Sequence, residues 1–191
     1  MDPRLSELPT STSDARSIGY PYDLDMDTFL AIVSKRDTRR YADTAISDAT
    51  TQRILEAGRI AGSARNRQPW RFLLVESRER VDRLAEAVYV PETVRGAKVV
   101  IAIVSSGGMD TGRCAQNMML AAWNDGVASC PNGIADADAA RAALGLGEDD
   151  QVANVLTFGY PATGHTGEKR SAEEWLERAD RKSLDELVER I

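Results

Sequence analysis

Three short basic segments hold the residue types that could do chemistry in this sequence. They are "SKRDTRR" (34–40), "SARNRQPWR" (63–71) and "GEKR" (167–170). The first lies at the predicted end of a helix, the second precedes a predicted strand, and the third follows a turn after a strand. All three can therefore meet at sheet ends, where ligands commonly bind. Guanidinium groups bind phosphate through forked, charge-assisted hydrogen bonds, so the segments favour a phosphate clamp over three separate solvated basic faces.

Counting residue types excludes several other kinds of site. His165 is the single histidine, which excludes a multi-histidine metal centre and leaves a solvated loop residue or a contact at a ligand's edge. The G-x-S-x-G elbow of serine hydrolases is missing from the sequence. "GLGEDD" (145–150) lacks the third glycine of a dinucleotide fingerprint, and "SSGGMDTGR" (105–113) lacks the Lys-Ser/Thr of a phosphate loop. Both are predicted to be turns, and no metal ligands are predicted.

The composition indicates one globular domain that does not bind nucleic acid. The chain has 191 residues, of which 42% are hydrophobic, and a formal net charge of -6. An acidic chain lacks the basic excess that neutralises nucleic-acid phosphates. Cys114 and Cys130 are not in C-x-x-C spacing, which predicts two reduced thiols. We also predict a cytoplasmic protein without membrane contact, because no apolar run is long enough for a bilayer and the N-terminus lacks a signal-peptide core.

The apolar pattern predicts a sheet covered by helices on both faces. Residues 1–22 are predicted to be a flexible N-terminal arm, and 23–191 a single domain. Strands are expected at "RFLLVE" (71–76), "KVVIAIV" (98–104), "VASCP" (127–131) and "VANVLTFG" (152–159). Helices are expected from about residue 26 into the first basic segment, after a cap at Ser47 or Asp48, around Val81 to Val88, from a cap at Asp110 to Gly126, near 136–144, and from Ser171.

Five motifs in order along the chain resemble the nitroreductase family of FMN-dependent oxidoreductases. "KRDTRRY" (35–41) resembles the family's opening basic motif, and "AGSARNRQPWRF" (61–72) its A-P-S-x-x-N-x-Q-P-W-x-F signature, with Gly62 in place of proline. "DTGRCAQNMMLAA" (110–122) is similar to the family's central helix, "GVASCPNGI" (126–134) to its flavin-facing turn, and "FGYPATGHTGEKR" (158–170) to its closing motif. The resemblance runs from about residue 29 to 175.

The resemblance implies an α+β fold, a three-layer α/β/α sandwich with a central, mostly antiparallel sheet. It implies a homodimer with FMN at the interface and a ping-pong reaction that transfers electrons from NAD(P)H to an electron-poor acceptor such as a nitroaromatic or quinone. The chemistry would belong to the flavin, so no catalytic side chain is expected. The predicted cofactor-binding residues are Arg36, Asp37, Arg39, Ser63, Ala64, Asn66, Asn132, Gly133, Lys169 and Arg170.

The same resemblance gives each group of residues a role. Arg36 and Arg39, with the closing basic pair, would hold the phosphate and ribityl chain. Ser63, Ala64 and Asn66, from the partner subunit, would line the flavin ring and ribityl region. Asn132 and Gly133 would bring backbone groups to the N5 edge. The terminal residues Trp175, Leu176, Leu184 and Leu187, together with the arm, are expected to wrap the partner.

Two departures from the family pattern keep other functions open. Asp37 stands where many members have serine, in an Arg-Asp-x-Arg arrangement that resembles members cleaving FMN to 5,6-dimethylbenzimidazole. Only about twenty residues separate "RFLLVE" from "KVVIAIV", where many relatives insert helices over the substrate pocket. The alternatives are therefore an FMN-cleaving enzyme, a non-catalytic flavin binder, and a member that binds no flavin. The choice of NADH or NADPH, and of FMN or a deazaflavin, stays open.

Overall fold

Four antiparallel strands form a single sheet at the centre of the part of the chain that the structure describes. The structure is a computed structural model that describes residues 28–163 and 170–191. The strands are β1 (Arg71–Leu74), β2 (Val99–Val104), β3 (Ala128–Asn132) and β4 (Val152–Gly159). Their order across the sheet is β1-β2-β4-β3, so β1 and β3 are the two edge strands. Each predicted strand is present, with bounds shifted by at most two residues.

Eight helices surround the sheet in the described part of the chain. They are α1 (Thr28–Ser34), α2 (Asp48–Arg59), α3 (Arg78–Glu86), α4 (Pro91–Gly96), α5 (Met109–Asn124), α6 (Ala137–Leu144), α7 (Ala172–Arg178) and α8 (Leu184–Leu187). Within these residues, no helix combines the length and the apolar character needed to cross a bilayer. The predicted N-terminal arm, residues 1–22, lies outside the described residues.

Alternation along the inner strands creates a separate core on each face of the sheet. On β2, Val100 and Ala102 pack with apolar residues of α3, α4 and α6. Ile101 and Ile103 point to the opposite face and pack with residues of α2 and α5. Successive strand residues face opposite sides, so one uninterrupted β-branched run serves both cores. This arrangement confirms the predicted three-layer α+β sandwich.

Several predicted helix ends are wrong. Gly108, at φ 87°, precedes α5, so Asp110 lies inside the first turn and does not cap it. The first helix ends at Ser34, the first residue of the basic segment, so its lysine and arginines are not helical; Val88 lies beyond α3 and bridges to Ile134. The predicted terminal helix from Ser171 is two short helices, each with its own capping box. Helix α4, which begins with proline, was not predicted.

Candidate functional site

The first basic segment runs beside edge strand β3 and is fixed there by backbone hydrogen bonds. Asp37 pairs in parallel with Ser129, and the amide of Thr38 donates to the carbonyl of Ser129 at 3.0 Å. Further along, the amide of Ala42 donates to the carbonyl of Tyr160 at 2.7 Å. At the first residue of the segment, the indole N–H of Trp123 donates to the hydroxyl of Ser34 at 2.9 Å, which fixes the end of α1. The arginines of the segment therefore project from an ordered backbone.

Tyr41 ties the end of this segment to β4. Its hydroxyl lies 2.9 Å from the Thr157 hydroxyl and 3.3 Å from the Thr157 carbonyl oxygen, to which it donates. The ring covers Gly159, where an added Cβ would lie 2.6 Å from the ring Cγ. Burial raises the pKa of the Tyr41 phenol, so it stays protonated and available as a donor. Glycine at 159 is required for this close packing.

Asp37 has a cationic partner within its own segment. Its carboxylate accepts a hydrogen bond from the ammonium of Lys35, whose side chain is largely buried. Burial raises the pKa of the neighbouring Cys130 thiol, as does the charge of Asp37, whereas Arg39 and Lys35 oppose that rise. Arg39 thus lies near the middle of β3. The negative charge of Asp37 is offset locally, so the surrounding arginines remain available to an anion.

Arg170, from the C-terminal part of the chain, lies close to Arg36 of the first basic segment because both side chains pack against the indole of Trp175. The guanidinium carbon of Arg36 lies 4.4 Å from the ring centroid of Trp175, and that of Arg170 lies 5.1 Å from the same centroid. Trp175 belongs to α7, which packs against α1. Residues far apart in the sequence are thereby brought together at the β3 edge of the sheet. Lys169, the other predicted phosphate ligand of this motif, lies outside the described residues.

The turn after β3 has little side-chain freedom. The side-chain nitrogen Nδ2 of Asn132 donates to the carbonyls of Cys130 and Val155, each at 3.0 Å, and lies 3.1 Å from the Thr157 hydroxyl, to which it also donates. Asn132 is also only 5% exposed, so its side-chain nitrogen is occupied inside the protein and the backbone is the part of this residue proposed to face a ligand. Gly133 lies under the ring of Tyr89, where an added Cβ would be 3.2 Å from the ring. Tyr89 itself is 74% exposed.

The polar loop 63–68 has a strained backbone. Arg65, Asn66 and Gln68 have positive φ values of 54°, 53° and 49°, although none is glycine. Such conformations cost of order 1 kcal/mol each and occur often at functional sites. The Ser63 hydroxyl accepts from the Gln68 amide at 2.8 Å and helps to hold the turn. Burial within this segment is slight, so packing is not what maintains its shape.

A carboxylate of helix α5, which is distant in sequence, also holds the loop 63–68 in place. The Asp110 carboxylate accepts a hydrogen bond from the amide of Ala64 at 2.9 Å. It also lies 3.6 Å from the guanidinium of Arg113. That guanidinium lies over Gly62, where an added Cβ would be 2.8 Å away. The departure from proline at position 62 thus leaves room for an arginine beside the loop.

The predicted site residues fall into two groups on opposite edges of the sheet. Arg36, Asp37, Arg39, Asn132, Gly133 and Arg170 lie along or beside β3, whereas Ser63, Ala64 and Asn66 precede β1. Strands lie about 4.8 Å apart, so four spacings separate β1 from the segment beside β3 by roughly 19 Å. Two clefts of about 400 and 380 Å³ flank β1, and neither is lined by a residue of the β3 group.

The sequence profile described as "Nitroreductase family" matches residues 32–102 and 92–160, which together cover most of the described chain. The chain belongs to the nitroreductase family. A relative from Archaeoglobus fulgidus, named "Putative NADH dehydrogenase/NAD(P)H nitroreductase", is 31% identical over 144 residues, which cover 68% of this chain and 83% of the relative. This relationship confirms the family predicted from the five motifs.

Two solved nitroreductase-family structures have the same fold. One, described as "a putative nitroreductase in complex with fmn", comes from Desulfovibrio desulfuricans. It is 31% identical, has a TM-score of 0.70, and aligns with 85% of this chain and 95% of its own. The other, a nitroreductase family protein from Clostridium difficile 630, has a TM-score of 0.72 at 24% identity over 86% of this chain and 98% of its own. The second structure supports the fold alone.

Two aromatic residues of this member of the nitroreductase family were missed as site candidates. Trp175 was predicted to contact a partner subunit, but it is 8% exposed within its own chain and lies against two predicted ligands. No role was predicted for Tyr89, yet its side chain is exposed and lies beside Gly133. The sequence signal for Trp175 was its position five residues after Arg170, one helical turn beyond a capping serine. Tyr89 gave no comparable signal.

Proposed function

We propose that this protein is an FMN-dependent oxidoreductase that takes electrons from NAD(P)H and delivers them to a nitroaromatic or quinone by a ping-pong mechanism. Membership of the nitroreductase family supports the oxidoreductase class. FMN bound in the Desulfovibrio desulfuricans relative supports the cofactor. The name of the Archaeoglobus fulgidus relative supports the nicotinamide donor. The observation that carries the proposal is that the guanidinium groups of Arg36 and Arg170 both lie over Trp175, next to edge strand β3.

The donor set at the β3 edge fits the phosphate of FMN. Arg36 and Arg39 are exposed, and no acidic side chain pairs with Arg36 among the described residues. Its guanidinium instead donates to the carbonyls of Val33 and Lys35, at 2.7 and 2.9 Å. These bonds leave other N–H groups for a dianion, because a guanidinium has five donors. Lys35 offsets Asp37, so the only carboxylate of the segment does not cancel the arginines.

The separation of the two residue groups supports a homodimeric site. One flavin would contact both groups most directly if β3 came from one chain and loop 63–68 from a second copy. The strained loop is exposed rather than packed in its own chain, as expected for a surface that meets a partner. Exposed apolar side chains near the C-terminus, including Leu184 and Leu187, offer further area for the same contact. We therefore propose a dimer with two equivalent sites.

In this proposal the residues of the chain bind and orient FMN, and they need not transfer protons. When bound, FMN supplies the hydride and electron chemistry of the reaction. Arg36, Arg39 and Arg170 hold the phosphate by charge-assisted hydrogen bonds. The turn at Asn132 and Gly133 presents backbone groups to the ring, because the side-chain nitrogen of Asn132 donates to acceptors inside the sheet. Lys169 remains a proposed fourth phosphate ligand.

The proposal is tested by the absorption spectrum of the purified protein with FMN, before and after anaerobic NADPH or NADH. We expect bound flavin that is bleached by at least one donor and recovers when a nitroaromatic or quinone is added. Free FMN at the same concentration is the control for non-enzymatic reduction. Protein that binds no flavin would exclude the proposed cofactor, and bound flavin that neither donor reduces would exclude the nicotinamide-dependent reaction.

The exposed carboxylate of Asp37 is the reason to test an alternative function, cleavage of FMN, in the same samples. Its carboxylate is 44% exposed, and one ammonium group pairs with it, so it could also reach a ligand. If the protein is an FMN-cleaving enzyme, reduced flavin and oxygen would yield 5,6-dimethylbenzimidazole, which mass spectrometry detects. If it is a non-catalytic binder, the flavin would stay oxidised with either donor. The first result would replace the acceptor reaction proposed here.

A further inference from the structure

Two predicted phosphate ligands share one aromatic ring in this structure. The guanidinium carbons of Arg36 and Arg170 lie 4.4 and 5.1 Å from the centroid of Trp175. Both distances are within the range of about 6 Å at which a cation is attracted to an aromatic face. The indole of tryptophan has the strongest such attraction among the aromatic side chains. One ring therefore acts on cations that come from opposite ends of the domain.

The ring is held firmly enough to fix the positions of its neighbours. Trp175 is only 8% exposed and lies in α7, which packs against α1. The Ser171 hydroxyl accepts from the Glu174 amide, and the Glu174 carboxylate accepts from the Ser171 amide at 2.7 Å. This capping box stabilises the first turn of a short helix. Because the ring cannot turn freely, guanidinium groups stacked on it lose much of their rotamer freedom before any ligand binds.

Several positively charged side chains lie close together near the Trp175 ring. Burial lowers the pKa of the Arg36 guanidinium, and the nearby positive charge of Arg181 lowers it further. An anion placed among these groups would relieve their repulsion and accept their hydrogen bonds. Without the indole, long arginine side chains would move apart into solvent, and binding would have to restrict them again.

We propose that Trp175 is a positioning residue that holds Arg36 and Arg170 ready for the phosphate of FMN. This inference rests on the proposed function. Trp175 does not itself contact the flavin ring in this scheme and contributes only through the two arginines. Its effect must therefore depend on the phosphate, which distinguishes FMN from riboflavin.

The test compares equilibrium binding of FMN and riboflavin, followed by quenching of flavin fluorescence, in the full-length wild type, Trp175→Leu and Trp175→Phe. For the leucine variant we expect FMN affinity to fall about 5- to 30-fold, from two lost cation–π contacts. Riboflavin affinity should change by less than about twofold, since it lacks the phosphate. The phenylalanine variant keeps a weaker aromatic face, so its selective loss of FMN affinity should be smaller.

The two ligands separate positioning from a general role in folding. Equal weakening of FMN and riboflavin in Trp175→Leu would show that Trp175 merely supports the fold, and unchanged FMN affinity would also overturn the inference. If the leucine variant does not fold, Trp175→Phe decides, because its loss must still be larger for FMN than for riboflavin. A wild type that binds no FMN would overturn the proposed function itself, whereas a wild type that binds FMN without this selectivity would overturn only the role of Trp175.

Discussion

Among single residues, Arg39 is the one whose replacement we expect to weaken cofactor binding most directly. Its guanidinium lies near Cys130 on the β3 edge, within a segment whose backbone is fixed by the sheet. We expect Arg39→Ala to weaken FMN binding by roughly 1.5–3 kcal/mol, the value of a hydrogen bond to a charged group. Isothermal titration measures the change. Arg83→Ala is the control, because Arg83 is an exposed arginine on α3 paired with Glu79; equal affinities in both variants would contradict the role of Arg39.

Gly159 is the residue whose replacement should cost the most stability near the site. An added Cβ would lie 2.6 Å from the Tyr41 ring, which is itself held by Thr157. We expect Gly159→Ala to lower the free energy of unfolding by about 1–3 kcal/mol through overpacking. Gly96→Ala, where nothing lies within 4 Å of an added Cβ, should be neutral or slightly stabilising. Urea denaturation measures the stability of both variants. Similar midpoints would show that the Tyr41 ring moves aside at little cost in free energy.

The reactivity of the two thiols follows from their surroundings. Cys114 and Cys130 are both buried, and they are not bonded to each other. Burial raises the pKa of Cys114 to about 11 and also raises that of Cys130. Both thiols therefore stay protonated at neutral pH, and neither is a candidate nucleophile.

At the scale of elements, Asp110 links helix α5 to the strained loop 63–68. It lies in the first turn of α5, as Asp138 does in α6, so both interact favourably with a helix dipole. Only Asp110 also accepts from the loop, at the amide of Ala64. We expect Asp110→Ala to lower the free energy of unfolding by roughly 1–2 kcal/mol and to weaken FMN binding, because a charge-assisted bond holds the loop.

Asp138→Ala is the matched control, since it removes a carboxylate from the equivalent position of α6. Asp138 pairs with Arg141 on its own helix and contacts no loop of the site. Its replacement should cost only a few tenths of a kcal/mol, within the range for exposed pairs. Fluorescence titration with FMN and urea denaturation measure both effects. If the two variants behave alike, the helix dipole rather than the loop contact explains the effect of Asp110.

How well each element was predicted depends on the range of the interactions that form it. Strand β4 was predicted with its observed bounds, because its apolar run ends at Gly159. The break between α7 and α8 was missed, although Ser171/Glu174 and Ser183/Glu186 are both visible as capping boxes in the sequence. The positive φ values at Arg65 and Asn66 were not predicted from the sequence. The loop is held by the local bond from Gln68 to Ser63 and also by Asp110, a partner distant in sequence that no local pattern reveals.

The candidate site was predictable where charge defined it and less so where tertiary packing did. The arginines were found because basic residues cluster in an acidic chain. The Asn132 side chain could not be assigned from sequence, since its three acceptors lie on β3 and β4. Trp175 was assigned to a partner surface because apolar residues near a terminus suggest one, whereas its contacts within the chain depend on α1.

At the scale of the whole molecule, the C-terminal segment is the clearest candidate for subunit contact. Leu184, Leu187 and Val188 are 76%, 62% and 55% exposed. Burying side chains of this size contributes about 1.5–3 kcal/mol each. We expect deletion of residues 183–191 to raise the dissociation constant of the proposed dimer at least about tenfold. Sedimentation over a dilution series measures the shift in subunit association.

A substitution control separates apolar contact from charge in that segment. Glu189→Ala with Arg190→Ala removes charged side chains and keeps all apolar ones, so the association constant should stay near that of the full chain. A dimer that survives the deletion unchanged would remove the segment from the interface. A wild type that is monomeric at all concentrations would contradict the dimer itself.

The placement of the two residue groups on opposite sheet edges has a genetic consequence. In a two-fold dimer, each site would take its β3 edge from one subunit and loop 63–68 from the other. A subunit with Arg39→Ala and a subunit with Asp110→Ala would each form a defective homodimer. Their hybrid would combine both lesions in one site and leave the other with two unaltered halves. Two defective alleles expressed together should therefore complement each other, because the hybrid dimer has one site of wild-type affinity and neither homodimer has any.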